Sequence, residues 1–253
     1  MCKKNRIFVA IFSVTQHVDC RISFARVIYI RSMRLVFASN NAHKLQEVQA
    51  IMPAGVEVLS LREIGFEAEI EETGTTLEEN SRIKADAVAA FINDRLMNGD
   101  ALPNGIDGVF ADDTGLEIDA LGGKPGVYTA RWYLTEGAGL PLKDEKEIFA
   151  ANRAKALREL AGKTDRGAQF RTVVTLIWTQ ESGAGCQDRV LQVEGVVRGT
   201  ISTEEYGNGG FGYDPVFVPE GYDKTFAELP AEVKNSISHR ARALAALVKV
   251  LNC

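Results

Sequence analysis

Apolar runs typical of strands alternate with segments of helical spacing from Arg34 onward, and this alternation sets the fold class. Four runs have strand character: RLVFAS, VEVLSL, AQFRTVVTLIWTQ and RVLQVEGVVRGTI. Four segments are predicted to be helices: AHKLQEVQAIM, TTLEENSRIKADAVAAFINDR with a Thr76–Glu79 capping box, KDEKEIFAANRAKALRELAG, and a closing helix from about Ser236. Because hairpins are interleaved with helical crossovers, we predict an α/β fold with a mixed β-sheet flanked by helices.

The composition narrows the classes of function. With 253 residues, 45% of them hydrophobic, the chain can bury a sizeable core, and its net charge of −5 argues against nucleic acid as a partner. Scattered cysteines without a Cys-x-x-Cys pair predict free thiols in a reducing compartment, and hence a cytoplasmic protein: Cys2, Cys20, Cys186 and Cys253. Because the three histidines are also far apart, any metal is expected to be a hard ion bound by carboxylates.

The first 32 residues differ from the rest of the chain. They are rich in lysine and arginine, and their apolar run from Ile7 to Val14 is too short to span a bilayer. No small-residue cleavage site of a signal peptide follows. We therefore expect residues 1–32 to be an N-terminal extension outside the core, Met33 to be the functional start of a single domain over residues 33–253, and no membrane to be a partner. The alternative is that apolar residues of the extension pack as an added strand.

The stretch SNNAHK, from Ser39 to Lys44, joins the first strand to the first helix. Unpaired backbone N–H groups and the positive end of the helix dipole meet at such a junction, which suits a phosphate. Lys44 is expected in the first helical turn, where a cation is unfavourable without a nearby anion. The alternative is an asparagine-rich cap in which Lys44 pairs with Glu47. The glycines and the Gly-Lys-Ser/Thr ending of a P-loop are missing.

An acidic run, EIEETGTTLEENSRIK, leads into the second predicted helix. Such runs are usually solvated loops, and that interpretation stays open. However, Asn80 and Lys84 share the helical face of Ile83, Ala87 and Phe91, and thus continue an apolar stripe toward the helix start. A buried lysine requires an anion, so this pattern indicates a binding site.

Asp112 and Asp113 lie in GVFADDTGLEIDALGG, which has the pattern of two strands joined at a hairpin turn. One interpretation is an ordinary tight turn, which Asp and Gly favour. The other is a divalent cation, because two adjacent carboxylates repel each other and a metal relieves that repulsion. Glu71 and Glu72 supply a second acidic segment, which strengthens the metal interpretation.

The stretch YGNGGFGYDP, residues 206–215, combines four glycines with Phe211 and Tyr213. Glycine permits close backbone approach to a ligand, and an aromatic ring beside it offers a stacking platform for a base. The alternative is a tight turn with packed aromatics. In KNSISHRARAL, His239 is expected nearly opposite the apolar stripe of the closing helix, and so not to be a hydrogen-bonded core histidine. Arg240 is expected at the edge of that stripe, so both would meet a polar ligand.

Together these motifs resemble, in order and spacing, the inosine triphosphate pyrophosphatase family (dITP/XTP pyrophosphatases). The resemblance runs from about Met33 to Leu251 and rests on FASNNAHKLQEV, EETGTTLEENSRIKA, FADDTGLEIDALGGKPGVYTARW, GGFGYDPVF and EVKNSISHRARAL. It implies two lobes around a central cleft, usually a homodimer, and Mg2+ as cofactor. The implied reaction is hydrolysis of the purine nucleoside triphosphates ITP, dITP or XTP to the monophosphate and pyrophosphate, which clears deaminated purines from the nucleotide pool.

The resemblance also implies residue roles. Asp113 would be the proton acceptor and a metal ligand in a catalytic set formed by Asp113, Asp112 and Lys44. The second metal carboxylate would be Glu71, chosen over Glu72 by its distance from Gly74. The triphosphate would be held by Ser39, Asn40, Asn41, Ala42, His43 and Lys44. Further substrate contacts are implied at Lys84 and Thr114, at the base platform Phe211, Gly212, Tyr213 and Asp214, and in the base and sugar pocket at Lys234, His239 and Arg240.

The sequence departs from the family pattern at two positions. Asn40 stands where Gly is frequent, and Thr114 where Ser is frequent. Since Asn tolerates a positive φ better than most residues, neither change threatens the resemblance.

Two other functions stay open. Maf-like pyrophosphatases have a similar fold, but they typically begin with an arginine-containing Ser-x-Ser-x-x-Arg motif, which SNNAHK does not match. A nucleotide-binding sensor would bind without hydrolysis, yet it would have no need of acidic groups at both Glu71 and Asp113.

Overall fold

The computed structural model describes residues 32–103, 105–137, 142–179 and 190–251. Residues 1–31, nearly all of the predicted N-terminal extension, lie outside this part of the chain, as do all four cysteines. What the sequence predicts for them stays a prediction. Within the described ranges, no helix combines the length and the apolar character needed to cross a bilayer.

The described residues form a seven-stranded mixed sheet. Its strands are β1 (Met33–Phe37), β2 (Val56–Leu59), β3 (Gly108–Ile118), β4 (Lys124–Gly126), β5 (Gly167–Trp178), β6 (Val190–Ile201) and β7 (Phe217–Pro219). The order is β2-β1-β3-β5-β6-β7, with β4 paired to β3. Because β1 runs parallel to β2 and β3 whereas the remaining pairs are antiparallel, the predicted mixed sheet is confirmed.

In the same ranges, five α-helices flank the sheet: α1 (Ala42–Ile51), α2 (Leu77–Met97), α3 (Glu145–Glu159), α4 (Ala231–Ile237) and α5 (His239–Leu251). α2 begins at the predicted capping box, in which Thr76 and Glu79 accept each other's backbone N–H groups. The predicted closing helix is two helices, because Ser238 has an extended backbone (φ −63°, ψ 159°) that separates α4 from α5.

Three apolar clusters make up the core. Side chains alternate across a strand, so Val36 packs under α2 on one face of the sheet and Leu35 packs against α1 and α5 on the other. A third cluster lies farther along β3, β5 and β6, against α3 and β7, and includes Leu116, Phe170 and Phe217. We call the part of the fold around the first two clusters the first lobe and the part around the third cluster the second lobe.

The predicted hairpin at Asp112 and Asp113 is absent. β3 continues from Gly108 to Ile118 and is paired with β5 along this whole length. The chain turns only at Gly122 and Gly123, whose φ values are 62° and 82°. Pairing with the long neighbouring strand β5 outweighs the local turn preference of Asp and Gly. The two aspartates therefore lie within a central strand and point to opposite faces of the sheet.

Candidate active site

A cavity of about 340 Å³ opens between the two lobes. Its wall combines the β1–α1 junction, the acidic loop before α2, the middle of β3, the glycine-rich loop and the start of α5. The structure thus brings together segments that are far apart in the sequence. All predicted site residues line this cavity except Ala42, His43, Glu71 and Asp112.

The β1–α1 junction has the asparagine cap of the alternative interpretation but not its Lys44–Glu47 ion pair. α1 begins at Ala42, and its N-cap Asn41 accepts a hydrogen bond from the Lys44 backbone N–H at 2.9 Å. The Lys44 ammonium donates to Asp112 at 2.9 Å rather than to Glu47. Burial lowers the pKa of Lys44 in spite of this pair. An anionic ligand at the junction would therefore favour the charged lysine.

Of two further junction residues, His43 lies away from its predicted place, whereas Asn40 lies where the sequence predicts it. His43 lies outside the cavity wall and stacks on Phe211, with ring centroids 5.2 Å apart and planes at 12°. Its Nε2 lies 3.8 Å from a carboxylate oxygen of Glu145, at the start of α3. Asn40 lines the cavity without a positive φ, because only glycines among the described residues adopt one. His43 thus supports the aromatic side of the site.

Asp112 faces α1 and α5, and both helices supply it with a cation. It accepts hydrogen bonds from the Lys44 ammonium and the Arg240 guanidinium, each at 2.9 Å. Burial alone would raise the pKa of Asp112, but the two positive charges outweigh it and hold the pKa far below its usual range. Asp112 is therefore an ionised anchor for two cations.

Asp113 faces α2 and the cavity. It accepts a hydrogen bond from the Lys84 ammonium at 2.9 Å, and the same ammonium donates to Glu72 at 2.7 Å. Burial raises the pKa of Asp113 more than the Lys84 and Lys44 charges lower it. Burial would lower the pKa of Lys84, but the two carboxylates raise it. Asp113 thus has the raised basicity that suits a general base.

Lys84 and Asn80 are buried on α2, as predicted, with exposed fractions of 8% and 0%. The apolar stripe beside them lies on a neighbouring face. Its buried members are Ala85, Val88 and Ile92, whereas the predicted members are half-buried: Ile83, Ala87 and Phe91. Lys84 is therefore within the buried face rather than at its edge, which strengthens its need for an anion.

Of the two adjacent acids before α2, Glu72 reaches the cavity and Glu71 does not. Glu71, the predicted metal carboxylate, is exposed and lies outside the cavity wall. Glu72 is half-buried and lines the cavity. The loop is fixed by α2, where Asn80 Oδ1 accepts the Gly74 backbone N–H at 2.8 Å. Sequence distance from Gly74 does not identify the acid that faces inward, because the loop has no repeating geometry.

The glycine-rich loop presents Phe211 to the cavity. Asp214 accepts the Phe211 backbone N–H at 2.8 Å and fixes the loop. The Lys234 ammonium donates to Asp214 at 2.6 Å and lies 4.9 Å from the centroid of the Phe211 ring. Tyr213 is buried, which raises its pKa, and its hydroxyl donates to the Thr129 carbonyl at 3.2 Å. The loop thus presents a fixed aromatic surface to the cavity.

His239 is buried and hydrogen-bonded, contrary to the prediction. Its Nδ1 lies 2.6 Å from Thr172 Oγ1, which in turn lies 2.8 Å from Thr114 Oγ1 in the cavity wall. The prediction considered the helix alone, but His239 is the first residue of α5, directly after the break at Ser238, and its ring packs on Phe170 of β5 with the ring centroids 4.8 Å apart. Burial, followed by repulsion from Arg240, lowers the pKa of His239 well below its ordinary value.

Glu47 joins the two halves of the site, although the sequence analysis did not place it there. It accepts hydrogen bonds from the Lys234 ammonium at 2.7 Å and from Arg240, which also binds Asp112. Burial would raise the pKa of Glu47, but the Arg240 and Lys234 charges lower it. The available signal was its spacing, one helical turn after Lys44.

The carboxylates at this site fit Mg2+. Among the described residues, no group of three or more His, Cys, Asp or Glu side chains comes together to hold a metal. Glu72 and Asp113 instead form a pair that converges on one ammonium. Mg2+ is typically bound by one or two carboxylates and completes its coordination with water and substrate phosphates. Two carboxylates beside a phosphate-type junction are therefore a suitable donor set.

The fold and the site define a class: α/β proteins whose interlobe cleft offers lysines, paired carboxylates and an aromatic surface to an anionic ligand. The chain belongs to the Ham1 family, whose model matches residues 35–250. It is 44% identical over 219 residues to the dITP/XTP pyrophosphatase of Bacillus subtilis (strain 168), covering 85% of this chain and 96% of that protein.

Further relatives agree with this membership. The dITP/XTP pyrophosphatase of Chlorobaculum tepidum is 43% identical over 220 residues, covering 85% of this chain and 91% of its own. The solved Ham1 protein of Staphylococcus aureus has a TM-score of 0.66 and 36% identity, covering 87% of this chain and 98% of its own. The Ham1 protein of Coxiella burnetii has a TM-score of 0.66 and 34% identity, with the same coverages of 87% and 98%.

Proposed function

We propose that this chain hydrolyses the non-standard purine nucleoside triphosphates ITP, dITP and XTP to the monophosphate and pyrophosphate, with Mg2+ as cofactor. The names of its relatives support the substrate class and the reaction. One observation in this chain carries the proposal: Glu72 and Asp113, from separate segments, share the Lys84 ammonium in a cavity that also contains the start of α1.

The β1–α1 junction would bind the triphosphate. The start of a helix favours an anion, and Ser39 and Asn41 line the cavity there. Lys44 and Lys84 are each held by an aspartate and would add two positive charges at this end of the cleft. Phosphate would also counter the effect of burial on the Lys44 pKa.

We assign Glu72, in place of Glu71, as the partner of Asp113 in holding Mg2+. When bound, the ion would neutralise charge on the phosphates. Asp113 would orient the attacking water and accept its proton, a contribution of roughly 10²–10⁴-fold. In this step the bond between the α- and β-phosphates breaks and pyrophosphate leaves. Asp112 would take no proton, because its pKa lies far below the usual range, and would hold Lys44 in place.

Base selectivity would rest on hydrogen-bond donors at the aromatic end. Hypoxanthine and xanthine present an acceptor at C6, where adenine presents an amino donor. A fixed donor such as Arg240 or a backbone N–H would pair with the C6 oxygen of hypoxanthine or xanthine. The same donor would find no acceptor on adenine, at a cost of about 1–3 kcal/mol. Guanine shares the C6 acceptor, so a separate penalty against its 2-amino group is required.

Pyrophosphate release from a panel of nucleoside triphosphates tests the proposal, with the purified chain and Mg2+ present or chelated. We expect turnover of ITP, dITP and XTP well above that of ATP and GTP, and its loss on chelation. A preference for pyrimidine or modified nucleotides would support a Maf-like enzyme. Binding without pyrophosphate release would support a sensor. Either outcome would overturn the proposed function.

The proposal extends to a cytoplasmic homodimer. The family resemblance supports the dimer, and the free nucleotide pool from which polymerases draw supports the location. Sedimentation at micromolar concentration should give twice the 27.6 kDa mass of one chain. A single species at the monomer mass would reject the dimer without affecting the proposed chemistry.

A further inference from the structure

We propose that Arg153 on α3 is a positioning residue for the nucleobase, acting through the glycine-rich loop; this inference rests on the proposed function. Arg153 Nη1 donates to the Gly212 carbonyl at 2.9 Å, and Nη2 lies 3.0 Å from a carboxylate oxygen of Glu205. The Arg153 side chain is only 14% exposed. A largely desolvated guanidinium therefore clamps the loop that carries Phe211.

The loop needs such a clamp because its backbone is intrinsically free. Gly207, Gly210 and Gly212 have φ values of 80°, 68° and 61°, which glycine adopts without a steric penalty but at a high cost in conformational entropy. Asp214 fixes the Phe211 N–H on one side. Arg153 provides a charge-assisted hydrogen bond at the residue after Phe211. Together the two side chains set the position of the aromatic ring.

α3 contributes a second contact to the same platform. Phe149 lies one helical turn before Arg153, on the same face, and its ring centroid is 6.1 Å from that of Phe211 at an interplanar angle of 42°. The helix is itself anchored to the second lobe, because Asn152 accepts the Tyr133 N–H at 2.8 Å and donates to a carbonyl at 3.0 Å. α3 is thus a rigid support that touches the platform at two points.

Arg153 has no direct contact with the two lysines that are proposed to bind phosphate. Both Arg153 contacts go to the glycine-rich segment, residues 205–212, whereas the phosphate end is built by Lys44 and Lys84. Loss of the clamp should therefore weaken the part of binding that depends on the base. It should leave binding of a ligand without a base, such as inorganic tripolyphosphate, unchanged.

Two variants separate the clamp from the neighbouring ion pair. R153M removes both contacts with little change in side-chain length, whereas E205Q removes the charge partner and leaves the Gly212 bond. One charge-assisted hydrogen bond corresponds to about 1.5 kcal/mol, so R153M should raise KM for ITP roughly tenfold. Its kcat and the inhibition constant of tripolyphosphate should stay within about twofold of wild type. R153K should recover part of the loss, and E205Q should change KM by less than about twofold.

Hydrogen exchange of residues 207–212, measured without nucleotide, gives a readout that does not depend on activity. We expect faster exchange in R153M than in wild type and E205Q. Unchanged exchange in R153M would overturn the clamp. This result does not depend on hydrolysis, so it can be obtained even if the wild type hydrolyses no nucleotide and the proposed function fails. Faster exchange with an unchanged KM for ITP would overturn the link to the base. An equal loss of tripolyphosphate binding would show a general loss of structure and would also overturn it.

Discussion

Glu72 and Asp113 share one hydrogen-bond donor: the Lys84 ammonium lies 2.7 Å from the first and 2.9 Å from the second. One carboxylate comes from a loop and the other from the central strand, so the pair exists only in the folded chain. Asp112, next in sequence, is on the other face of the sheet and is neutralised there by Lys44 and Arg240. The adjacent aspartates thus lie on opposite faces of the sheet and hold different cations.

The two acids before α2 provide a matched pair of variants. Glu72→Gln should lower kcat/KM for ITP by at least about 100-fold and raise the Mg2+ concentration for half-maximal activity, because it removes one of two proposed metal ligands. Glu71→Gln changes the same functional group one residue away, on an exposed side chain. Its kcat/KM for ITP and its Mg2+ requirement should stay within about twofold of wild type. Mg2+ titrations of the hydrolysis rate measure both. Equal behaviour of the variants, or the reverse order, would contradict the assignment of Glu72.

Local patterns predicted the elements of this site better than the directions of its side chains. Lys84 is buried as its helical spacing predicted, because a helix has a fixed period. Glu71 and Glu72 lie in a loop, where the direction of a side chain has no fixed period and the backbone is held by a hydrogen bond that Gly74 donates to Asn80 of α2. The turn predicted at Asp112 and Asp113 is overridden by pairing with β5, a long-range contact.

The roles of two further residues could not be predicted from local sequence patterns. Glu47 and Arg153 lie on amphipathic helices and have the pattern of surface charges. Their partners, Lys234 and Gly212, are distant in sequence and arrive only through the tertiary fold. The motifs were predictable because loops and helix starts concentrate functional groups. The residues that support those motifs were not.

Asp113→Asn tests the proposed base. The substitution keeps the shape of the side chain but removes its capacity to accept a proton, so turnover of ITP should fall below about 1% of wild type. Nucleotide affinity should change by less than about tenfold, because Lys44 and Lys84 remain. Calorimetric binding and pyrophosphate release measure the two quantities. Hydrolysis near the wild-type rate would remove Asp113 from the catalytic role.

Arg240→Ala tests the cation that joins both halves of the site. Its guanidinium is buried against Asp112 and Glu47, and truncating one partner of a buried charge pair costs about 2 kcal/mol or more. We expect kcat/KM for ITP to fall at least about 30-fold, with a much smaller change for ATP. The control is Arg242→Ala, on the same helix but exposed. Steady-state kinetics with unchanged ITP values in the Arg240 variant would contradict this role.

Glu47 predicts a pH dependence of stability. Burial would raise its pKa, but the Arg240 and Lys234 charges hold it below the ordinary value of 4.5. Its stabilising contribution is therefore complete above about pH 5 and is lost as the pH falls through the lowered pKa of the folded state. Glu47→Gln should reduce the free energy of unfolding by about 3 kcal/mol at pH 7, and this difference should shrink below pH 4.5.

A surface pair provides the control for that measurement. Glu57 is 2.7 Å from Arg34 with its side chain 43% exposed, so Glu57→Gln should cost less than about 1 kcal/mol at either pH. Urea unfolding of the three proteins between pH 3.5 and 7 gives the differences. A Glu47 effect that stays constant or grows as the pH falls would show that its carboxylate is not stabilised by the two cations.

A crystal structure with Mn2+ and a non-hydrolysable ITP analogue tests the central arrangement most directly, because anomalous scattering locates the ion independently of its ligands. We expect the anomalous peak at about 2.1 Å from carboxylate oxygens of both Glu72 and Asp113, with phosphate oxygens completing the shell and Lys44 beside them. A peak bound by Glu71, or one with the triphosphate away from the start of α1, would contradict the account.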